Sequence, residues 1–174
     1  MKETLTDLKQ RRSCRLFEDR QIDTEQLDEI LEAATYAPTG MGMQSPLIVV
    51  LQNKADIERV RLLNARVMGD ESRDPFYGAP TLVIVFADKN RSTYYADGVL
   101  VLGNMLNAAH AVGVASCYIY RAKEVFDTAE GKALMKEWGI RDCYEGIGNC
   151  ILGYGLPEGF RELQPRKSDY IIKV

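Results

Sequence analysis

The sequence predicts a mixed fold, α/β or α+β, packed as layers in one domain. Apolar segments of strand length alternate with longer amphipathic segments along the chain. The length of 174 residues is typical of a single domain and is sufficient to bury a full hydrophobic core. No linker, internal repeat or low-complexity tract divides the chain. We therefore expect a single domain over residues 1–174.

The composition excludes several classes of protein. The net charge is -3, with 46% hydrophobic and 27% charged residues, which is too balanced for a disordered chain. The acidic excess argues against a dedicated nucleic-acid binder. No apolar run reaches the roughly 18 residues of a membrane span, and the first residues lack the apolar core of a signal peptide. We expect a cytoplasmic protein with no nucleic-acid or membrane partner.

Cysteine and histidine usage limits the chemistry that side chains can supply. The four cysteines form no Cys-x-x-Cys pair, and His110 is the only histidine. A metal site with two histidine ligands is therefore excluded, and we expect no metal site. Cys117 lies in an apolar segment and is expected to be packed rather than nucleophilic. If the protein is an enzyme, its chemistry is expected to come from a cofactor.

Each secondary-structure element has a local signal. Thr24 is the predicted N-cap of a helix whose apolar residues, from Leu27 to Ala34, follow helical spacing. The continuous apolar run at 47–51 is typical of a strand buried on both faces. The predicted helices span 4–12, 25–36, 54–67, 94–112 and 123–138 (the last as one helix or two), and the predicted strands span 47–51, 81–87, 114–120 and 147–154, with a β-type segment at 170–174.

The predicted helix at 94–112 is apolar or small over most of its circumference. A helix of this kind is expected to be buried on nearly all sides. A domain of this size has little room for a fully central helix, so one face is expected to meet a second copy of the chain. The alternative is the central helix of a monomer. His110, on this helix, is interpreted as a core or interface histidine rather than as a catalytic base.

Two basic clusters are candidates for binding a phosphate. Arg11, Arg12, Ser13 and Arg15 bring three guanidinium groups and a hydroxyl into five residues, and guanidinium groups match phosphate oxygens in pairs. A second cluster, Arg166 and Lys167, follows near the end of the chain. The alternative is a solvated helix end for the first cluster and an exposed tail for the second. Convergence of both clusters on one phosphate is a hypothesis.

The loop at 38–46 contains two glycines and two prolines. Its backbone amides and the Gln44 side chain could hydrogen-bond the edge of a heterocycle, although a tight connection between a helix and a strand explains the composition equally well. Phosphate cradles of other classes are missing, because the sequence has no Gly-x-x-x-x-Gly-Lys-Ser/Thr. Gly153-Tyr154-Gly155 also lacks the third glycine of a dinucleotide fingerprint.

The order of these features resembles the FMN-dependent nitroreductase family, over nearly the whole chain. The resemblance begins with Arg-Arg-Ser-x-Arg-x-Phe at 11–17 and Leu-x-x-Ile-Leu-x-Ala-Ala at 27–34. It ends with Pro-Arg-Lys at 165–167. Between them lie Ala-Pro-Thr at 37–39 with Gln44 and Pro46, Gly-Ala-Pro at 78–80, Asp97, the segment 113–119, and the segment 147–154. Gly42, Ser45-Pro46 and Tyr118 depart from residues that are frequent in the family.

The resemblance implies an α+β fold, a three-layer α/β/α sandwich with a central, mainly antiparallel sheet. It also implies a homodimer that exchanges its C-terminal segments and holds FMN at the subunit interface. By position, Arg11, Arg12, Ser13 and Arg15 would bind the phosphate and ribityl chain, and Arg166 and Lys167 would complete the phosphate site. The other implied FMN contacts are Pro38, Thr39, Gly40 and Gln44 of the partner chain, Asn64, the backbone of Tyr118, Ile119, Tyr120 and Arg121 near the reactive N5 edge, and Gly153.

The resemblance further implies an oxidoreductase in which NAD(P)H reduces FMN, and a nitroaromatic or quinone-like acceptor then enters the same site. This ping-pong chemistry needs no catalytic side chain, because the protein orients and tunes the flavin. Three alternatives remain at this point. One is another flavin chemistry on the same scaffold, one is a non-catalytic flavin-binding or redox-sensing protein, and one is a regulatory domain that binds a nucleotide phosphate.

Overall fold

Six helices, four strands and two 3-10 turns make up the fold of residues 3–174, the part of the chain that the computed structural model describes. The helices are α1 (Glu3–Gln10), α2 (Thr24–Thr35), α3 (Lys54–Met68), α4 (Tyr94–Ala111), α5 (Ala122–Asp127) and α6 (Ala129–Glu137). The strands are β1 (Pro46–Leu51), β2 (Thr81–Asp88), β3 (Ala115–Ile119) and β4 (Tyr144–Gly153). The 3-10 turns are Gly40–Gly42 and Pro157–Gly159.

The four strands form one sheet in the order β1-β2-β4-β3, and every neighbouring pair is antiparallel. Helices α2 and α4 cover one face, and α3, α5 and α6 cover the other. The expected α+β class, three-layer sandwich and mainly antiparallel sheet are therefore confirmed. The last strand in sequence, β4, lies inside the sheet between β2 and β3.

Strand β2 divides its side chains between the two cores, because successive residues of a strand point to opposite faces. Leu82 and Ile84 pack against the α3, α5 and α6 layer, whereas Val83 and Val85 pack against α2 and α4. All four side chains are fully buried. Cys117, on β3, is likewise buried in the first of these cores, as expected.

Most boundaries lie within three residues of the predicted ones, and the differences have local causes. Thr24 is the first residue of α2 rather than its N-cap; Asp23 occupies the cap position without a side-chain hydrogen bond. The region 123–138 contains two helices. Thr128 separates them, because its extended backbone ends α5 and its Oγ1 accepts a hydrogen bond from Gly131 N at 3.0 Å to cap α6.

Two sequence predictions about strands are wrong for the single chain. β1 is not buried on both faces: Leu47 is 36% exposed and Ile48 is half-buried, because β1 is an edge strand with only β2 beside it. Residues 170–174 form no strand and are exposed. Their β-type composition finds no strand to pair with in this chain, and β propensity expresses packing against neighbouring strands.

Helix α4 is buried on one side only. Met105 and Ala109 are fully buried between the sheet and α2, but Val99 and Leu100 are 42% and 46% exposed. The expectation of burial on nearly all sides is therefore not met within one chain. No helix in residues 3–174 has the length and apolarity needed to cross a bilayer.

Candidate functional site

A cavity of about 410 Å³ opens where β3 ends and the chain turns into α5. Four consecutive residues of this turn, 118–121, line the cavity, and Arg15 faces them. All five of these residues are among the FMN contacts that the resemblance implies. The structure brings them together although more than 100 positions separate Arg15 from the turn.

The turn is held in an unusual conformation by a buried side chain. Arg121 has a left-handed backbone, with φ of 80°, which is uncommon for a residue with a Cβ. Asn64, which is 1% exposed on α3, donates a hydrogen bond from Nδ2 to the Tyr120 carbonyl at 3.3 Å. Its Oδ1 accepts from Arg121 Nε at 3.0 Å. Asn64 therefore secures both the backbone and the side chain of the turn.

Tyr118 forms one wall of the cavity and packs against β4. A Cβ at Gly148 would lie 2.5 Å from Tyr118 Cε2, so the ring rests directly on the backbone of β4. Burial raises the pKa of the Tyr118 hydroxyl above its ordinary value, with smaller contributions from Tyr95, Tyr120 and Glu124. The side chain is therefore a neutral aromatic surface with a hydroxyl group at neutral pH.

Residues of the segment between α3 and β2 form the opposite wall of the cavity. None of them was among the predicted site residues. Arg73, Asp74 and Tyr77 line the cavity, and the Arg15 guanidinium lies 5.9 Å from the centre of the Tyr77 ring. The Asp74 carboxylate shapes this wall by accepting from Phe76 N at 2.8 Å and from Gly78 N at 2.6 Å. The Asp-Pro-x-x-Gly pattern at 74–78 is a turn signal, and it is the feature of the sequence that indicates a structured loop at this wall.

The basic cluster runs alongside β3. Ser13 forms a parallel bridge with Ser116, and Cys14 N donates to Ser116 O at 3.0 Å. Because the two segments run in the same direction, Arg15 reaches the cavity at the end of β3, whereas Arg11 and Arg12 lie near its start. There they line a second cavity of about 260 Å³ with His110 and Phe160.

The two arginines of this second cavity are in different states. Arg12 Nη1 donates to Lys9 O at 2.7 Å and to Arg11 O at 2.6 Å, so one nitrogen of its guanidinium group is already bonded to the backbone. Arg11 Nη1 is buried and has no hydrogen-bond partner among residues 3–174. An unsatisfied buried guanidinium nitrogen is costly, and an anion such as a phosphate would satisfy it. These residues therefore fit a phosphorylated cofactor.

The loop at 38–44 lies apart from the cavity in the single chain. Asp97 Oδ1 accepts from Gly40 N at 3.0 Å, and Thr39 Oγ1 accepts from Gln44 N at 3.0 Å. Pro38 and Gln44 are exposed, and neither lines the cavity with Arg15. The loop is thus built and anchored on α4 but contacts no other part of the candidate site.

Three other predicted residues also lie away from the Arg15 cavity. Arg166 and Lys167 belong to the exposed tail and line a groove against Leu8 and Lys9 of α1. Gly153 ends β4, where a Cβ would lie 2.8 Å from Phe17 Cδ1 and 2.9 Å from Pro80 Cδ. Close packing explains why a glycine stands at 153 in the single chain. The convergence of Arg166 and Lys167 with the first basic cluster on one phosphate stays a prediction.

A family model matches most of this chain. The nitroreductase family model matches residues 8–155. The chain belongs to the nitroreductase family. A putative NADH dehydrogenase/NAD(P)H nitroreductase of Archaeoglobus fulgidus is 28% identical over 165 residues, or 91% of this chain and 88% of the relative. An FMN reductase [NAD(P)H] of Bacillus subtilis is 32% identical over 92 residues, or 53% of this chain and 34% of the relative.

Solved structures of this family share the whole fold. A nitroreductase with bound FMN from Bacteroides fragilis has a TM-score of 0.91 and 29% identity, with 100% of both chains covered. A nitroreductase with bound FMN from Desulfitobacterium hafniense, 24% identical, has a TM-score of 0.89 over 100% of this chain and 99% of its own. A further curated relative, from Methanothermobacter thermautotrophicus, is matched over 60% of its length, so the chain spans less than two thirds of some relatives.

Proposed function

We propose that this nitroreductase family member is an FMN-dependent oxidoreductase that takes electrons from NAD(P)H. The observation that carries the proposal is the cavity between Arg15 and the turn at 118–121, together with the buried Nη1 of Arg11, unpaired within the described residues, at the other end of β3. The FMN-bound relative from Bacteroides fragilis, which shares the complete fold, supports FMN as the cofactor. When bound, FMN would supply the redox chemistry, accepting electrons from NAD(P)H and passing them to a second substrate.

In this proposal, the residues of the chain bind and orient the cofactor. Arg11, Arg12, Ser13 and Arg15 hold the phosphate and ribityl chain, because guanidinium groups and hydroxyls complement phosphate oxygens. The turn of Tyr118, Ile119, Tyr120 and Arg121, with Asn64 behind it, would hold the flavin ring. Gly153 and the tail residues Arg166 and Lys167 would complete the set. The turn would offer the ring its polar backbone rather than a catalytic acid or base.

We propose that the working form is a homodimer. The side chains of Val99 and Leu100 on helix α4 are nearly half-exposed, and Met41 in the loop at 38–44 is 92% exposed. Apolar side chains that are exposed together on one side of a fold indicate an interface. In the dimer, Pro38, Thr39, Gly40 and Gln44 of one chain would reach the FMN site of the partner, and the C-terminal tail would cross to the partner as well.

The second substrate is proposed to be a small nitroaromatic or quinone-like acceptor. The cavity is open at Tyr77 and Tyr120, which are 41% and 55% exposed, and aromatic rings at its rim suit a planar acceptor. Because the acceptor and the nicotinamide would use the same opening, they would bind in turn. The kinetic mechanism would then be ping-pong.

The visible spectrum of the purified protein tests the proposal. We expect a flavin band near ~450 nm that NADH or NADPH bleaches and that a nitroaromatic or quinone restores. Chromatography of the released flavin should identify FMN rather than FAD. With varied acceptor, double-reciprocal plots should be parallel. A flavin band that neither nicotinamide bleaches would leave a non-catalytic flavin protein, and the complete lack of flavin binding would remove the proposal.

A further inference from the structure

A second buried amide lies under the turn at 118–121. Asn149 is fully buried on β4, opposite Ile119, in the last residue pair that joins β3 to β4. Its Nδ2 donates to Ile119 O at 3.1 Å and to Tyr120 O at 3.4 Å. Both neighbours are acceptors, so the amino group of Asn149 must face them. The side chain thus continues the hydrogen bonding of the sheet beyond the point where the strands separate.

Stability alone does not explain an asparagine at position 149. Its Oδ1 is buried and has no hydrogen-bond partner within the described residues. A buried acceptor without a donor is destabilising, and an apolar side chain of similar volume would avoid that cost. The amide therefore imposes a penalty on the core of a strand whose neighbours, Cys150 and Ile151, are fully buried and apolar. The donors that it offers to the turn are the compensating feature.

Two buried amides consequently converge on one carbonyl. Tyr120 O accepts from Asn149 and from Asn64, on two different elements, which occupies both of its lone pairs. The N–H and C=O of a trans peptide point in opposite directions. Because the Tyr120 carbonyl is directed at the amides, the N–H of Arg121 in the same peptide unit is directed away from them, and both residues line the cavity. The left-handed φ of Arg121 accompanies this orientation.

We propose that Asn149 is a positioning residue for the candidate site: with Asn64, it fixes the Tyr120–Arg121 peptide so that the Arg121 N–H is a preorganised donor to the ring of a bound flavin. This inference rests on the proposed function for the identity of the ligand. The orientation of the peptide itself does not depend on it. A donor that is already oriented costs no reorganisation when the ligand binds.

The test compares Asn149→Leu with Ile151→Ala. Leucine removes both donors at similar volume, whereas the control removes apolar packing from a fully buried residue two positions further along β4 and on the same core-facing side. We expect Asn149→Leu to weaken binding of FMN and of riboflavin by about tenfold each, the loss of one ordinary hydrogen bond. Ile151→Ala should change neither affinity by more than about twofold while lowering the unfolding midpoint at least as much.

A measurement on flavin-free protein separates this inference from the proposed function. In wild type, the amide ¹⁵N resonance of Arg121 should be a single sharp signal, and in Asn149→Leu it should broaden or shift, while the resonances of α6 stay in place. Wild-type affinity in Asn149→Leu, an unchanged Arg121 resonance, or an equal loss of affinity in Ile151→Ala would overturn the inference. Failure of the wild type to bind any flavin would overturn the proposed function, with the Arg121 resonance still reporting on the amides.

Discussion

The turn at 118–121 and the loop at 38–44 both contain strained backbone, but only the turn is supported by buried amide side chains of the same chain. Arg121 in the turn and Met41 and Gln44 in the loop all have positive φ. The turn is supported from beneath by Asn64 and Asn149. The loop is anchored at Gly40 and otherwise exposed. Strained conformations persist where the surroundings over-determine them, and in the proposed dimer the loop would obtain its remaining contacts from the partner chain.

The largest effect is expected from Leu100→Asp, which would remove those remaining contacts. A carboxylate placed in an apolar interface without a partner costs several kcal/mol, so the dimer should dissociate and FMN should be lost with it. Light scattering and the flavin band measure both outcomes. Ala133→Asp, at an exposed position of α6 on the other side of the sheet, is the matched control and should remain dimeric. A Leu100→Asp protein that stays dimeric with wild-type FMN affinity would place the interface elsewhere.

Asp97→Ala should release the loop while leaving the turn intact. The carboxylate is 3% exposed and accepts from Gly40 N and from Thr93 Oγ1 at 2.9 Å. Hydrogen bonds to a charged group contribute about 1.5–3 kcal/mol each, so unfolding in urea should show a loss of roughly 3 kcal/mol or more. Thr93→Ala removes one of the two bonds and should cost about half as much. A loss below about 1 kcal/mol in Asp97→Ala would show that other contacts hold the loop.

Arg15→Ala tests the part of the proposed FMN site that lies within one chain, the cavity between Arg15 and the turn at 118–121. The loss of a charge-assisted bond to phosphate should weaken FMN binding by about tenfold to a hundredfold. Riboflavin has no phosphate, so its affinity should hardly change. Arg73→Ala is the control, because Arg73 lines the same cavity but pairs with Asp70 at 3.0 Å and is exposed; we expect a loss of less than about threefold. Equal losses for FMN and riboflavin in Arg15→Ala would assign Arg15 to packing.

The smallest effect concerns the strain in the turn. Arg121→Gly and Arg121→Ala both remove the bond to Asn64, but only glycine adopts a φ of 80° without a steric cost. The glycine variant should therefore be more stable than the alanine variant by about 1 kcal/mol in urea unfolding. The same pair at Lys136, an exposed residue of α6, should show the opposite order by a similar amount. Equal stability of the two Arg121 variants would mean that the turn changes its backbone conformation in the alanine variant and releases the strain.

The amino-acid sequence determined the elements whose signals are local. The apolar run that became β2 and the long segment that became α4 were predicted within one residue, because hydrophobic periodicity decides which backbone conformation can bury a segment. The resemblance also placed Arg15 in the same site as the turn at 118–121. A buried asparagine inside an apolar strand, Asn149, was visible in the sequence as well, but the pattern alone does not say which groups it bonds.

Only the tertiary structure decided how those elements meet. The position of β4 between β2 and β3 makes β1 an edge strand, and it brings Asn149 beneath a carbonyl that lies 29 positions earlier in the chain. The same packing sets Asn64 of α3 against that carbonyl, next to the left-handed Arg121. Propensity and periodicity describe neighbours along the chain, whereas these contacts depend on which strand pairs with which, and pairing is settled by the burial of the whole core.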